Sequence, residues 1–72
     1  MPTFNLETEY ITLGQLLKSI GIISTGGEAK YFLCNNKVYV DDMLETSRNK
    51  KIYPNQKVKF NKETYFIKAS DE

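Results

Sequence analysis

Two short helix patterns, each opened by a threonine capping box, lie next to each other and constrain the fold more than any other feature. In the first pattern, Thr12 is followed three residues later by Gln15, and apolar residues then recur at helical spacing up to Gly21. In the second, Thr25 and Glu28 stand in the same relation before another apolar stripe. Helices this short are marginal in water on their own. The sequence therefore predicts that packing against a shared core holds both.

After Asn36 the apolar residues change from the period of a helix to that of a strand. Turn signals at Asp41-Asp42, at Pro54-Asn55 and at 61–63 separate the alternating segments, which are 37–40, 57–60 and 64–68. Residues 4–11 alternate as well and predict one strand before the helices. A strand, two helices and then an antiparallel set of strands indicate an α+β fold.

The apolar positions of these patterns predict one thin core. A chain of 72 residues buries only about 60% of the surface that its unfolded form exposes. We therefore expect residues 1–72 to form a single domain. The predicted core consists of Leu13, Leu16, Leu17, Ile20, Ala29, Phe32, Leu33, Val38, Val40 and Val58, and we expect Phe60 and Phe66 to be buried as well.

Cysteine usage and hydropathy bear on the location of the protein. The one cysteine, Cys34, excludes an internal disulfide, and its position in the second helix predicts a buried, inert thiol. A small domain without disulfides fits a reducing compartment. No run approaches the roughly 18 apolar residues of a membrane span, and the first residues lack the apolar region of a signal peptide. These features predict a cytoplasmic protein that does not contact the membrane.

The net charge of +1 conceals a segregation of charge along the chain. Residues 12–60 contain eight basic and four acidic residues, a net +4, and the two ends together carry −3. Between Ser47 and Lys59 there are five basic residues and no acidic one. Such a block indicates either a solvated surface or a binding surface for a polyanion. Charge alone leaves both open.

The glycine pair Gly26-Gly27 falls in the first turn of the second helix. It lacks the longer loop and the Lys-Ser/Thr of a P-loop, and the third glycine of a dinucleotide site. Two glycines at such a position destabilise a helix by about 1 kcal/mol each relative to alanine. One explanation is an anion site built from bare N–H groups, with Lys30 adding charge one turn later. The other is close packing against a neighbouring element.

Enzymatic function is poorly supported by the composition. The chain has no histidine, so neither a Cys–His nor a Ser–His pair can form. Asp41 and Asp42 are adjacent in a predicted turn, where a turn role explains them better than acid–base chemistry. We therefore expect no catalytic residue, no metal site, no cofactor and no small-molecule substrate.

From Thr12 to Val58 the sequence resembles the S4 RNA-binding domain, and within that superfamily the short stand-alone bacterial proteins of the YaaA type. The resemblance rests on the tracts ITLGQLLK, TGGEAK and FLCNNKVYVDD. In the family the second helix opens with Ser-Arg-x-x-Ala and leads to Gly-x-Val-x-Val-Asn-Gly. The matching positions here are Thr25, Ala29, Lys30 and Leu33 for the helix, and Asn36, Val38, Val40 and Asp41-Asp42 for the tract after it.

The resemblance implies a two-helix αL motif packed on a small antiparallel sheet. It also implies a monomeric, non-catalytic protein that binds structured ribosomal RNA or ribosomal particles and acts in ribosome assembly or maturation. Gly26 stands where the family usually has arginine, which shifts phosphate binding to backbone N–H groups and the remaining cations. The RNA-binding residues predicted in this way are Lys18, Thr25, Gly26, Gly27, Lys30, Arg48, Lys50 and Lys51.

A different class of function stays open at this point. A small adaptor could bind an acidic protein partner through the same basic face, since such a face attracts either polyanion. The aromatic residues that flank the basic face are also ambiguous. Tyr31 and Tyr39 are placed either to stack on unpaired bases or to pack within the domain.

Overall fold

The computed structural model describes residues 2–70, so Met1 and the acidic pair Asp71 and Glu72 lie outside the described residues. Two helices follow two short strands, and five further strands follow the helices. In chain order the elements are β1 (Thr3–Leu6), β2 (Ile11–Thr12), α1 (Leu13–Ser19), α2 (Gly26–Asn35), β3 (Val38–Val40), β4 (Met43–Glu45), β5 (Lys51–Ile52), β6 (Lys57–Phe60) and β7 (Glu63–Ala69).

The main sheet has five strands in the order β1-β7-β6-β3-β4, and β2 pairs with β5 in a separate two-stranded sheet. The α+β class is confirmed. The main sheet is mixed, however, and not antiparallel as expected. β1 runs parallel to β7, with Phe4 beside Ile67, whereas the other pairs are antiparallel. The helices lie between these two strands in the chain, and such a long connection permits parallel pairing.

The prediction of one continuous strand over residues 4–11 is wrong. β1 ends at Leu6, which pairs with Ala69 near the end of β7. The chain then bends, and the Thr8 hydroxyl donates to the carbonyl oxygen of Tyr10 at 2.7 Å. The bend carries the chain out of the main sheet, so that Ile11 pairs with Ile52 instead.

Both predicted helices form with the predicted N-caps. At α1 the Gln15 N–H donates to the Thr12 hydroxyl, and the Thr12 N–H donates to the Gln15 side chain, both at 3.2 Å. Gly21 follows with a φ of 85°, the left-handed conformation expected of a helix stop. Asn36, the C-cap of α2, is extended, with a φ of −135°. Its side-chain amide donates to the Phe32 carbonyl oxygen at 3.1 Å.

The core lies between the helices and one face of the main sheet. Eight of the ten predicted core residues are buried, and Ile20 and Phe32 are half-buried and pack against them. Phe60 is buried too, and its ring meets that of Phe32 edge-on at 5.7 Å. The buried residues that the sequence patterns did not indicate are Leu6, Ile23, Ile52 and Ile67.

Two expected burials are corrected. Phe66 is only half-buried, because it alternates with the buried Ile67 along β7 and so faces away from the helices. Cys34 is exposed and not buried. α2 turns Ala29 and Leu33 into the core, and the position after Leu33 is rotated by about 100° towards solvent.

Asp41 ties the β3–β4 turn to the start of β6. Asp41 and Asp42 have φ values of 50° and 69°, as in the two-residue hairpin turn that matches strand twist. The Asp41 carboxylate accepts the Lys57 N–H at 3.0 Å and the Gln56 side-chain amide at 2.9 Å. These two hydrogen bonds, the Lys57 one foremost, lower the pKa of Asp41 below its usual 3.8.

We predict that Asp41→Asn destabilises the domain by about 1 kcal/mol at neutral pH. The side-chain oxygen of Gln56 accepts the Tyr53 N–H at 2.8 Å, so the Gln56 amide cannot flip to accept from the new amide at position 41 without losing that bond. Because the pKa of Asp41 is lowered in the folded state, its contribution is present above pH 4 and is lost as the pH falls through the folded value. Urea unfolding at pH 7 and at pH 2.5 measures both effects.

Asp42→Asn is the matched control. It has the same left-handed backbone, but its carboxylate accepts no hydrogen bond from the described residues. Its free energy of unfolding should change by less than about 0.5 kcal/mol. Equal losses in the two variants would show that the turn conformation, and not the Asp41 carboxylate, carries the effect.

Candidate nucleic-acid interface

The segment 47–50, called the Arg48 segment below, packs against the start of α1, and its carbonyl groups accept hydrogen bonds from the N–H groups there. The Leu13 N–H donates to the Lys50 carbonyl oxygen at 2.8 Å, and the Gly14 N–H donates to the Arg48 carbonyl oxygen at 2.9 Å. The Thr12 hydroxyl accepts the next N–H, that of Gln15. The first three N–H groups of α1 therefore have partners within the protein, and they are not available to an anion.

Gly14 is the residue that allows this approach. A Cβ added to Gly14 would lie 3.3 Å from the Arg48 carbonyl oxygen and 3.5 Å from the Cβ of Ala29 on α2. The bare backbone thus lets α1, α2 and the segment that carries Arg48 meet at one point. Gly14 was not among the predicted functional residues. The sequence does carry a signal for its role, because glycine is unfavourable inside a short helix unless another backbone comes close.

An open cleft of about 460 Å³ lies where these segments meet. It carries two cations, Lys18 and Arg48, and none of its lining residues is acidic. The remaining groups are polar or backbone. The lining residues are Thr12, Gly14, Gln15, Lys18, Gly26, Arg48 and Asn49. A positively charged cleft rich in hydrogen-bond donors is suited to a phosphate backbone.

At the start of α2, Gly26 lines this cleft and Gly27 follows it in the chain. A Cβ at Gly26 would meet no atom within 4 Å, and one at Gly27 would only approach the Thr25 hydroxyl at 3.9 Å. Close packing within residues 2–70 therefore does not explain the pair, and that alternative is wrong. The N–H groups of Gly26 and Gly27 have no acceptor among the described residues. They remain available to an anion at the positive end of the helix dipole.

Glu28 and Arg48 adjoin the glycine pair on either side. Thr25 and Glu28, the residues of the second capping box, are both in place at the start of α2. The Glu28 carboxylate accepts the Ser24 N–H at 2.6 Å and the Thr25 N–H at 3.0 Å. The Arg48 guanidinium donates to the Gly26 carbonyl oxygen at 3.4 Å. This weak bond orients the guanidinium and leaves most of its five N–H donors for a ligand.

The structure brings some of the predicted RNA-binding residues together and leaves others at the edges. Lys18, Gly26 and Arg48 line one cleft, and Thr25 and Gly27 flank Gly26 in the chain. Lys50 holds α1 through its backbone carbonyl, and Lys51 lies on β5 beside Thr12. Lys30 is exposed on α2 but does not line the cleft. Thr12, Gln15 and Asn49 also line the cleft, although they were not among the predicted RNA-binding residues.

Within residues 2–70 there is no group of three or more His, Cys, Asp or Glu side chains placed to hold a metal ion. None of the helices in the same range is long and apolar enough to cross a membrane.

Comparison with known proteins decides the family. A family model for the S4 domain matches residues 4–68. The chain belongs to the S4 domain family. The match includes most of β1 and most of β7, which lie outside the tract 12–58 on which the sequence resemblance rests. The predicted resemblance is therefore confirmed.

A relative of this S4 domain is the "Probable ribosome maturation protein RlbA" of Bacillus subtilis (strain 168). The two are 45% identical over 49 residues, which cover 68% of this chain and 69% of the relative. The alignment therefore spans about two-thirds of each protein.

We predict that Gly14→Ala destabilises this S4 domain by about 1 kcal/mol or more. The added methyl pushes on the Arg48 carbonyl oxygen, which must move by a few tenths of an ångström and so weakens the hydrogen bond from residue 14. Gly26→Ala makes the same chemical change in the first turn of the other helix, where the space is open. It should be neutral or stabilising by up to about 1 kcal/mol. Thermal unfolding of both variants measures the difference, and a Gly14→Ala protein as stable as Gly26→Ala would contradict the packing described.

Proposed function

We propose that this S4 domain binds structured ribosomal RNA through the cleft between α1, α2 and the Arg48 segment, and that it takes part in ribosome maturation. The observation that carries the proposal is the cleft itself: its lining has two cations, no acidic residue and, at Gly26, an N–H group without an acceptor among the described residues. The N–H group of Gly27, next in the chain, has no acceptor there either. Family membership and the similarity to a probable ribosome maturation protein support the same function.

The charges around the cleft suit a phosphate backbone. Lys18 and Arg48 lie in the cleft, and Lys30, Lys50 and Lys51 lie on the elements that surround it. Phosphate contacts of this kind position a protein on RNA without reading its sequence. The glycine N–H groups then replace the arginine that the family usually carries at position 26. We therefore propose recognition of RNA shape, because the cleft binds through backbone N–H groups and flexible cations.

We also propose that the domain is non-catalytic, monomeric and cytoplasmic. The chain lacks histidine, and the lining residues of the cleft contain no cysteine or carboxylate to act as nucleophile or base. The proposed role is to hold an RNA conformation during assembly of a ribosomal particle, and binding alone is sufficient for that.

We predict that Arg48→Ala weakens binding to a structured ribosomal RNA fragment about tenfold. With four or five cations on phosphates, log affinity should fall against log salt with a slope of about −3 to −4, and the variant should flatten the slope by about one. Alanine keeps the Arg48 carbonyl and Cβ, which pack on α1, so the fold should be preserved. Fluorescence anisotropy between 50 and roughly 300 mM salt gives both quantities.

Lys59→Ala is the matched control for the lost charge. Lys59 alternates with the buried Val58 and Phe60 along β6, and so lies on the sheet face directed away from the helices. Its loss should leave affinity and slope unchanged. If Arg48→Ala and Lys59→Ala behave alike, the cleft is not the RNA site. If the protein instead captures one acidic protein partner and RNA does not compete, it acts as an adaptor and the proposed function fails.

A further inference from the structure

Two tyrosine rings form an exposed pair at the end of the small sheet. β2 and β5 pair antiparallel with Ile11 beside Ile52, so the next residues outward, Tyr10 and Tyr53, face each other across the strands. Their ring centroids are 5.8 Å apart with planes tilted by 48°. Tyr10 is 36% and Tyr53 44% exposed, although each is a large aromatic residue in a domain with a thin core. Part of each ring is therefore available for contact with a ligand.

Lys51 adds a cation to this tyrosine pair. Its Nζ lies 4.9 Å from the centroid of the Tyr10 ring, within the range of a cation–π interaction. Lys51 and Tyr53 alternate with the fully buried Ile52, so both lie on the outward face of β5. An aromatic surface beside a mobile cation is the combination that binds a nucleobase and its phosphate together.

The pair is continuous with the cleft. Tyr10 lines a shallow hollow that it shares with Gln15 and Lys18, and both of these residues also line the cleft. Thr12, which pairs with Lys51, is a third lining residue of the cleft. A strand of RNA that follows Lys18 out of the cleft would therefore reach Tyr10, whose ring meets that of Tyr53.

The backbone holds the tyrosines in place before any ligand binds. The Tyr53 N–H donates to the Gln56 side chain at 2.8 Å, and the Asn55 N–H in the same turn donates to the Ile67 carbonyl oxygen at 2.7 Å. On the other strand, the Thr8 hydroxyl fixes the Tyr10 carbonyl. A backbone that is already fixed in this way loses little conformational entropy when the tyrosines bind a ligand.

We infer that Tyr10 and Tyr53, with Lys51, form a stacking site for one unpaired base next to the RNA helix held in the cleft. The inference rests on the proposed function and adds to it a preference for an RNA helix interrupted by an unpaired nucleotide. A purely structural tyrosine pair could lie anywhere on the sheet, whereas Tyr10 lines the hollow that adjoins the cleft. The third exposed tyrosine, Tyr31 on α2, is 73% exposed and lines neither the cleft nor the hollow.

The test compares two RNA hairpins that differ by one unpaired 2-aminopurine in the stem. The native protein should bind the interrupted stem about 5- to 150-fold more tightly, the range expected of one stacked base, and should quench the 2-aminopurine fluorescence. Tyr53→Leu and Tyr10→Leu should remove the preference and the quenching but leave binding to the paired stem and its salt slope unchanged. Leucine keeps apolar cover over the strands, and thermal unfolding verifies that each variant is folded.

Tyr31→Leu is the control, and it should retain both the preference and the quenching. Tyr53→Phe should retain them as well, because the ring and not the hydroxyl stacks. Equal affinity of the native protein for the two stems, with a normal salt slope, overturns the stacking site and leaves the proposed function standing. Binding to neither stem overturns both. A Tyr53→Leu variant that keeps the preference also overturns the inference, since the base would then lie elsewhere.

Discussion

The contact between the start of α1 and the carbonyl groups of Arg48 and Lys50 is the interaction on which the rest of the structure depends. A helix of seven residues has almost no stability of its own, and here its first N–H groups are satisfied by a segment about 35 residues later in the chain. Gly14 makes that approach possible. The same contact closes the domain around its core and places the Arg48 side chain beside the start of α2. Stability and the candidate site thus have one structural origin.

This arrangement assigns different tasks to the two helix starts. At α1 the first N–H groups donate to carbonyl groups of the Arg48 segment. At α2 the N–H groups of Gly26 and Gly27 have no acceptor among the described residues. An anion in the cleft therefore meets the dipole of α2 together with Lys18 and Arg48. Glu28 opposes this field, but its carboxylate is already hydrogen-bonded to Ser24 and Thr25. The resulting site favours a negatively charged backbone that several weak contacts share.

Much of the fold could be predicted from the sequence, because local signals and burial agree. The capping boxes at Thr12 and Thr25 gave both helix starts, and most of the apolar stripe is core. Long-range pairing was harder: nothing in residues 4–11 indicates that the strand breaks at Leu6 and pairs parallel to β7. The site was only partly predictable for the same reason. The charge and glycine patterns, together with the S4 resemblance, indicated Lys18, Gly26 and Arg48. The role of Gly14, in contrast, depends on a backbone that is distant in sequence.

The central claim is that RNA binds where α1, α2 and the Arg48 segment meet. Titration of the ¹⁵N-labelled protein with a structured ribosomal RNA fragment, followed by amide chemical shifts, tests it most directly. We predict that the largest changes fall on Gly26, Gly27 and residues 48–50, since their N–H groups lie in or beside the cleft. The amides of Lys59 and Thr64, paired in the middle of the sheet, should stay unchanged. Changes confined to the sheet, or none with RNA in excess, would contradict the claim.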